Sequence, residues 1–179
     1  MYALSSNTTA NSNTAIGTDT LASSTTGAQN TAVGYQALRT NTTGSANVAL
    51  GMASLDSNTT GGNNTSLGYG SLRVNTTASN NTAVGYNSLG GNTTGTHNIA
   101  VGSSAGGGMT TAANNTCIGY QAGDDLTGGG KNIIIGSLAN AGHSGRANSI
   151  IMGYSVSGGA NDALLFGYST TDSQIAFGA

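Results

Sequence analysis

The chain has 179 residues and a formal net charge of −2, and charged residues make up only 6% of it, against roughly 25% in typical globular proteins. Its four basic residues form no patch that could neutralise a phosphate backbone, and no run of ~18 apolar residues is present, so we expect neither a nucleic-acid partner nor a membrane span. The single cysteine, Cys117, excludes an intrachain disulfide, and its place in a column that is mostly alanine predicts a small buried residue.

A glycine recurs every 17 residues without an insertion or a deletion. A fixed period this short predicts a solenoid, in which each repeat is one coil stacked on the previous one. Asn, Thr, Ser, Ala and Gly fill most positions, which is also typical of disordered tracts, but a disordered tract has no reason to keep aliphatic residues in phase over nine repeats. The glycine column consists of Gly17, Gly34, Gly51, Gly68, Gly85, Gly102, Gly119, Gly136 and Gly153.

The first residues are already in register with the coils that follow. Leu4 lies one period before Leu21, and Asn7 lies two periods before Asn41. Solenoids usually begin with an atypical repeat that shields the exposed edge. We therefore expect residues 1–179 to be a fragment of a longer protein.

Counted from its first asparagine, as at Asn30, each coil follows one pattern. The second position is mostly Thr, Val or Ile, the third is mostly small, the fourth is a large apolar residue, the fifth is the glycine, and the sixth is often Tyr. Because side chains alternate along a strand, the second and fourth positions share one face. We predict that the fourth position forms the aliphatic core column: Ile16, Val33, Leu50, Leu67, Val84, Val101, Ile118, Ile135 and Met152.

The remaining positions predict the turns of the coil. The Asn-Thr-Thr-Gly segment, as at 41–44, has the residue types that accept positive φ or bond the local backbone. Each coil should therefore contain two short strands and two turns, with parallel pairing between coils. The glycine column should permit a tight corner or a close backbone approach, and the first-position asparagines should stack as a ladder of side-chain amides.

After residue 98 the pattern changes. The leucine column of the ninth position is lost, and the strands become apolar at consecutive positions, as in Ile133–Ile135 and Ile150–Met152. A strand that is apolar on both faces is buried on both faces, so we infer a cover from another copy of the chain. The glycine spacing then shortens to 14 residues, from Gly153 to Gly167. We predict a regular solenoid over 1–153 and tapering coils over 154–179.

The strings N-T-A-V-G-Y-Q-A-L at 30–38 and N-T-T-G at 41–44 resemble the repeats of phage tail fibres and tail-fibre-like proteins. Those repeats often precede a C-terminal intramolecular chaperone that is cleaved after trimerisation. N-T-A-V-G is also similar to the S-V-A-I-G head repeat of trimeric autotransporter adhesins, which builds a left-handed parallel β-roll. The resemblance covers about residues 4–178 and implies a homotrimeric fibrous β-solenoid.

From this resemblance we expect a structural segment of a phage tail fibre or a similar extracellular filament that supports host or surface attachment. Its location would be the virion or an extracellular surface, and its partners would be two further copies and a cell-surface glycan or protein receptor. The adhesin head has a shorter coil, which favours the fibre over the adhesin. No motif of the family assigns receptor-binding residues to positions of this chain.

Two other functions remain open. An ice-binding solenoid is suggested by the adjacent threonine ladders, but adjacent residues point to opposite sides of the backbone, which disfavours one flat array. The tyrosine column could supply stacking faces for a carbohydrate, although a place in a trimer seam or over the glycine column is favoured. The ladders are Thr42, Thr59, Thr76 and Thr93 beside Thr43, Thr60, Thr77 and Thr94, and the tyrosines are Tyr35, Tyr69, Tyr86, Tyr120 and Tyr154.

Residues for catalysis are few. Asp124 and Asp125 would be the only carboxylate pair, and adjacent aspartates in a glycine-rich loop are usually solvated. His97 and His143 lie in different columns with no Cys or carboxylate at ligand spacing. We therefore expect no enzyme activity, no metal site and no cofactor.

Overall fold

A computed structural model describes residues 2–157 and the strand at 164–166. In these residues the chain is an all-β parallel β-solenoid of 17-residue coils and contains no helix. Ten strands of three residues each form one sheet. They are β1 Thr14–Ile16, β2 Thr31–Val33, β3 Val48–Leu50, β4 Thr65–Leu67, β5 Thr82–Val84, β6 Ile99–Val101, β7 Thr116–Ile118, β8 Ile133–Ile135, β9 Ile150–Met152 and β10 Leu164–Phe166.

The strands pair in parallel in the order of the sequence, from β1 to β10. From β1 to β9 each residue pairs with the residue 17 positions later, as Ala32 does with Ala49. The last pairing joins Ile150 to Leu164, a shift of 14 residues, as the shortened glycine spacing predicts. The predicted coils beyond residue 166 lie outside the described residues.

Each described coil contains one β-strand of three residues, so the prediction of two strands per coil is wrong. The rest of the coil turns through left-handed residues, including Gln36 at φ 59° and Leu38 at φ 51°, and such residues cannot continue an extended strand. Backbone bonds still join the coils there: the Leu38 N–H donates to the Ser54 carbonyl at 3.0 Å. The coils are therefore stacked along their whole path, although only one side is a regular sheet.

The interior of the coil is made by the third and ninth positions, as Ala32 and Leu38 show with no exposed surface. The fourth-position column is not the core of the chain, which corrects the sequence prediction. Ile16 is 61% exposed and Leu50 is 49% exposed. The alternation along the strand was predicted correctly, but the larger aliphatic face points outward, because the ninth-position leucine leaves room only for a small residue opposite it.

The loss of leucine after residue 98 is compensated inside the coil. Gly106 and Gly123 take the ninth position, while the third position grows from alanine to Cys117 and then to Ile134. A Cβ atom on Gly123 would lie 2.6 Å from Cys117 Sγ and 3.3 Å from Ile134 Cδ1. A Cβ atom on Gly106, by contrast, would lie 3.2 Å from Met109 Sδ. The interior volume is therefore filled from the twelfth position at Gly106 and from the strand side at Gly123, as close packing requires.

Two ladders of buried asparagines run along the solenoid. In the predicted ladder, Asn47 Nδ2 donates to Asn30 Oδ1 at 3.1 Å and to the Gly61 carbonyl at 2.9 Å. A second ladder, which the sequence analysis took only as turn residues, joins twelfth-position asparagines, as between Asn58 Nδ2 and Asn41 Oδ1 at 2.8 Å. Its members are Asn41, Asn58, Asn75 and Asn92.

Candidate interaction surface

The outward-pointing side of the sheet carries apolar side chains along the rod. In the second position Val48, Ile99, Ile133 and Ile150 are 37–46% exposed, and in the fourth position Val101 is 37% exposed. Threonine occupies the other second positions. These two columns in strands β1–β9, together with the sixth-position column, are called the outer face below.

The sixth-position column adds aromatic rings at the end of each strand, beyond the glycine. Tyr86 is 59% exposed, and its ring stacks on that of Tyr69 with a centroid separation of 5.5 Å and an interplanar angle of 7°. Met52 takes the same position in its coil and is 44% exposed. The other tyrosines of the column, Tyr35, Tyr120 and Tyr154, are likewise exposed.

The glycine column lies between the strand and the tyrosines and makes this arrangement possible. The nine glycines have φ values from 129° to 137°, which side chains rarely adopt. A Cβ atom on Gly85 would also lie 2.6 Å from the Gly102 carbonyl oxygen in the next coil. The column is thus required twice over, by its backbone angle and by the close stacking of coils.

No position of the outer face holds Asp, Glu, Lys or Arg. The charged side chains lie in other columns, where Arg39 and Asp56 form a two-point ion pair in successive coils, with Nε–Oδ1 at 2.8 Å and Nη2–Oδ2 at 3.1 Å. Nine strands at ~4.8 Å spacing give the outer face a length of about 40 Å. Depletion of charge and exposure of aromatic and aliphatic groups are typical of the core of a protein interface.

The two threonine ladders have different environments. In the thirteenth position the hydroxyl groups donate to the carbonyl of the next coil, as Thr42 Oγ1 does to Thr59 at 3.0 Å, so these hydroxyls take part in stacking. In the fourteenth position the side chains are exposed. That exposed row is Thr9, Thr26, Thr43, Thr60, Thr77, Thr94 and Thr111.

The candidate catalytic residues have structural contacts. Asp125 accepts hydrogen bonds from the backbone N–H groups of Ala141 at 2.8 Å and Gly142 at 2.6 Å. Burial raises the pKa of the Asp124 carboxyl, and a hydrogen bond from the Gly108 backbone opposes this. The adjacent aspartates therefore lie against neighbouring coils instead of forming a solvated pair.

The other reactive side chains do not form a site. Cys117 is buried, as predicted, and burial raises the pKa of its thiol to about 12, with the charge of Asp125 as a smaller cause. His97 and His143 are both exposed. Within residues 2–157 and 164–166, no three His, Cys, Asp or Glu side chains are grouped so that they could hold a metal ion.

No protein-family model, curated protein or solved structure matches the chain. In the part of the chain that the structure describes, no helix is long and apolar enough to cross a lipid bilayer.

Proposed function

We propose that the chain is a structural segment of a homotrimeric fibre, such as a phage tail fibre or a similar extracellular filament, that stiffens and spaces an attachment device. The observation that carries the proposal is the outer face, an uncharged and largely apolar surface about 40 Å long that the single chain leaves uncovered. Ile16 and Leu50 lose roughly half of their potential hydrophobic stabilisation as long as this face meets water.

A second copy of the chain fits this surface because it presents the same column at the same coil spacing. The outer face also has two adjoining parts, the strand side chains and the tyrosine column, on either side of the glycine corner. In a closed three-fold arrangement each chain contacts two neighbours through two different surfaces, and one chain's strand face would meet the tyrosine column of the next. This geometry supports a trimer over a two-fold dimer.

The test is the molar mass in solution by sedimentation equilibrium. We expect three times the chain mass of 17.4 kDa. The variant Val101→Lys adds a charge to the centre of the outer face and should shift the equilibrium to monomers. The control Thr94→Lys adds the same charge at an exposed position outside that face and should remain trimeric.

Circular dichroism of Val101→Lys separates dissociation from unfolding. If Val101→Lys is monomeric and keeps its β signal, the outer face is the interface. The same conclusion follows if Val101→Lys is monomeric and unfolded while Thr94→Lys stays trimeric and folded. A monomeric wild-type chain that is fully folded would overturn the fibre proposal.

The exposed threonine row supports one alternative, an ice-binding solenoid. The row repeats at the coil spacing over seven coils. It is only one residue wide, because the hydroxyls of the neighbouring thirteenth-position ladder donate hydrogen bonds to carbonyl groups of the next coil. Thermal hysteresis of a dilute solution decides between the two functions, and its presence in a monomeric chain would favour ice binding.

A further inference from the structure

A shallow groove of about 300 Å³ opens on the rod, and its lining residues come from the coil segments that precede strands β7, β8 and β9. The polar side chains that line it are those of Thr111 and of Asn114, Lys131 and Asn148, which follow one another at intervals of one coil in the seventeenth position. The glycine triplet 128–130 also lines the groove.

The groove exists because this coil departs from the repeat. Gly128 stands where the seven preceding coils carry the exposed threonine. Gly128 is not among the residues with left-handed φ, and a Cβ atom on it would meet only Thr111 Oγ1, at an ordinary 3.5 Å. The backbone therefore does not require a glycine at position 128, and its effect is to leave the groove open.

The polar groups around the groove are available to a ligand. The side chains of Thr111, Asn114, Lys131 and Asn148 are exposed, and within the described residues no hydrogen bond or ion pair engages them. Lys131 is the only lysine of the chain, and among the described residues that line the groove there is no carboxylate. The site thus offers one cation, two amides and one hydroxyl beside the backbone of the glycine triplet.

We propose that this groove binds one acidic sugar unit of a surface glycan. The Lys131 ammonium group pairs with the sugar carboxylate, and the amides of Asn114 and Asn148 and the Thr111 hydroxyl bond the ring hydroxyls. The volume lies at the lower end of the range for small-ligand sites and suits one or two sugar rings. This inference deepens the proposed attachment function and rests on it for its biological role.

The experiment titrates the wild-type chain with sialyllactose and with lactose as the neutral control, and follows binding by saturation-transfer NMR. We expect binding of sialyllactose only. Lys131→Gln should weaken binding about tenfold, since it removes one charge-assisted hydrogen bond. Gly128→Thr restores the side chain of the repeat, fills the groove and should abolish binding, whereas Arg73→Gln removes an exposed cation elsewhere and should leave it unchanged.

Failure of this inference can be told apart from failure of the fibre proposal when the molar mass is measured on the same samples. A trimer that does not bind sialyllactose, that binds lactose equally well, or that keeps its affinity in both groove variants overturns the glycan site and leaves the fibre intact. A monomer that binds sialyllactose and loses it with Gly128→Thr supports the glycan site and overturns the fibre.

Discussion

The leucines of the ninth position combine an unfavourable left-handed backbone conformation with full burial of the side chain, which is favourable. Leu21, Leu38, Leu55, Leu72 and Leu89 have φ values from 48° to 52°, and each is fully buried. A left-handed conformation costs about 1–2 kcal/mol for a residue with a side chain, and burial of a leucine stabilises by about 1.5–3 kcal/mol. The balance is narrow, so the column can change to Gly106 and Gly123 where other side chains of the coil fill the volume.

The glycine column predicts a large penalty for a single methyl group. Gly85→Ala forces a side chain onto φ 129° and places Cβ 2.6 Å from the Gly102 carbonyl oxygen, so it should lower the free energy of unfolding by about 3 kcal/mol. Gly128→Ala is the matched control and should change it by less than about 1 kcal/mol. Urea unfolding at equal protein concentration measures both, and similar losses in the two variants would contradict the role of the column.

The buried thiol predicts a pH dependence of stability. The pKa of Cys117 is about 12 in the folded chain, against 9.0 for the free group, so the unfolded chain releases its proton first as the pH rises. This contribution to stability is therefore fully present below pH 9.0 and is lost between pH 9.0 and about 12. At about pH 10 the loss should be about 1.4 kcal/mol.

The variant Cys117→Ala isolates this effect, because alanine is the usual residue of the column and all tyrosines remain. Urea unfolding at about pH 8 and about pH 10 should show a smaller alkaline loss in the variant than in the wild type. Equal losses in the two proteins would mean that the thiol does not cause the pH dependence.

At the scale of the element, the sequence predicted the period and the pairing of the strands but not the direction in which they face. The glycine register fixes the 17-residue shift, so the parallel order follows directly. Which side of the strand points inward depends on volume: a coil this narrow holds Ala32 opposite Leu38, and Val33 is left outside. Hydrophobicity alone assigns the larger of the two residues, Val33, to the core. This rule fails here because the interior of the coil is too narrow for it.

The second asparagine ladder could have been found from the sequence, because Asn41, Asn58, Asn75 and Asn92 recur at the same period as the first ladder. Their place in a turn-like string hid the signal, since Asn is common in turns. The groove at 128–130 could not have been found in this way. Its opening depends on which corner of the coil each column occupies, and only the structure shows this.

The second ladder predicts that its interior and its end differ. Asn58→Leu removes the donor to Asn41 Oδ1 and the acceptor of Asn75 Nδ2, both at 2.8 Å, and should destabilise the chain by about 3 kcal/mol. Asn92 ends the ladder because Met109 follows in the column, and within the described residues its Oδ1 is buried without a hydrogen-bond partner.

Asn92→Leu should therefore lower the free energy of unfolding by less than about 1 kcal/mol. It leaves Asn75 Oδ1 without a hydrogen-bond donor, but it also removes Asn92 Oδ1, a buried acceptor that has no donor in the wild type. Leucine is also the residue that the same column carries at Leu126, where it is fully buried. Urea unfolding of both variants measures the difference, and an equal cost would mean that the amides contribute by packing and not through their hydrogen bonds.

At the scale of the whole molecule the described part of the chain is one-dimensional, because each of its strands contacts only the strands before and after it. A rod of this kind can associate side by side or end to end, and the two modes use different surfaces. The outer face runs parallel to the rod axis, so association through it adds width and no length.

Small-angle X-ray scattering distinguishes these modes. The proposed trimer should have a maximum dimension close to that of one rod, which is about 50 Å for ten stacked strands, and a cross-section about three times as large in area. Val101→Lys should keep the maximum dimension and lose the added cross-section, because the charge separates the rods without altering the stacking of coils. A wild-type particle about three times as long as the variant would mean that the chains join at their ends, and the outer face would then need another partner.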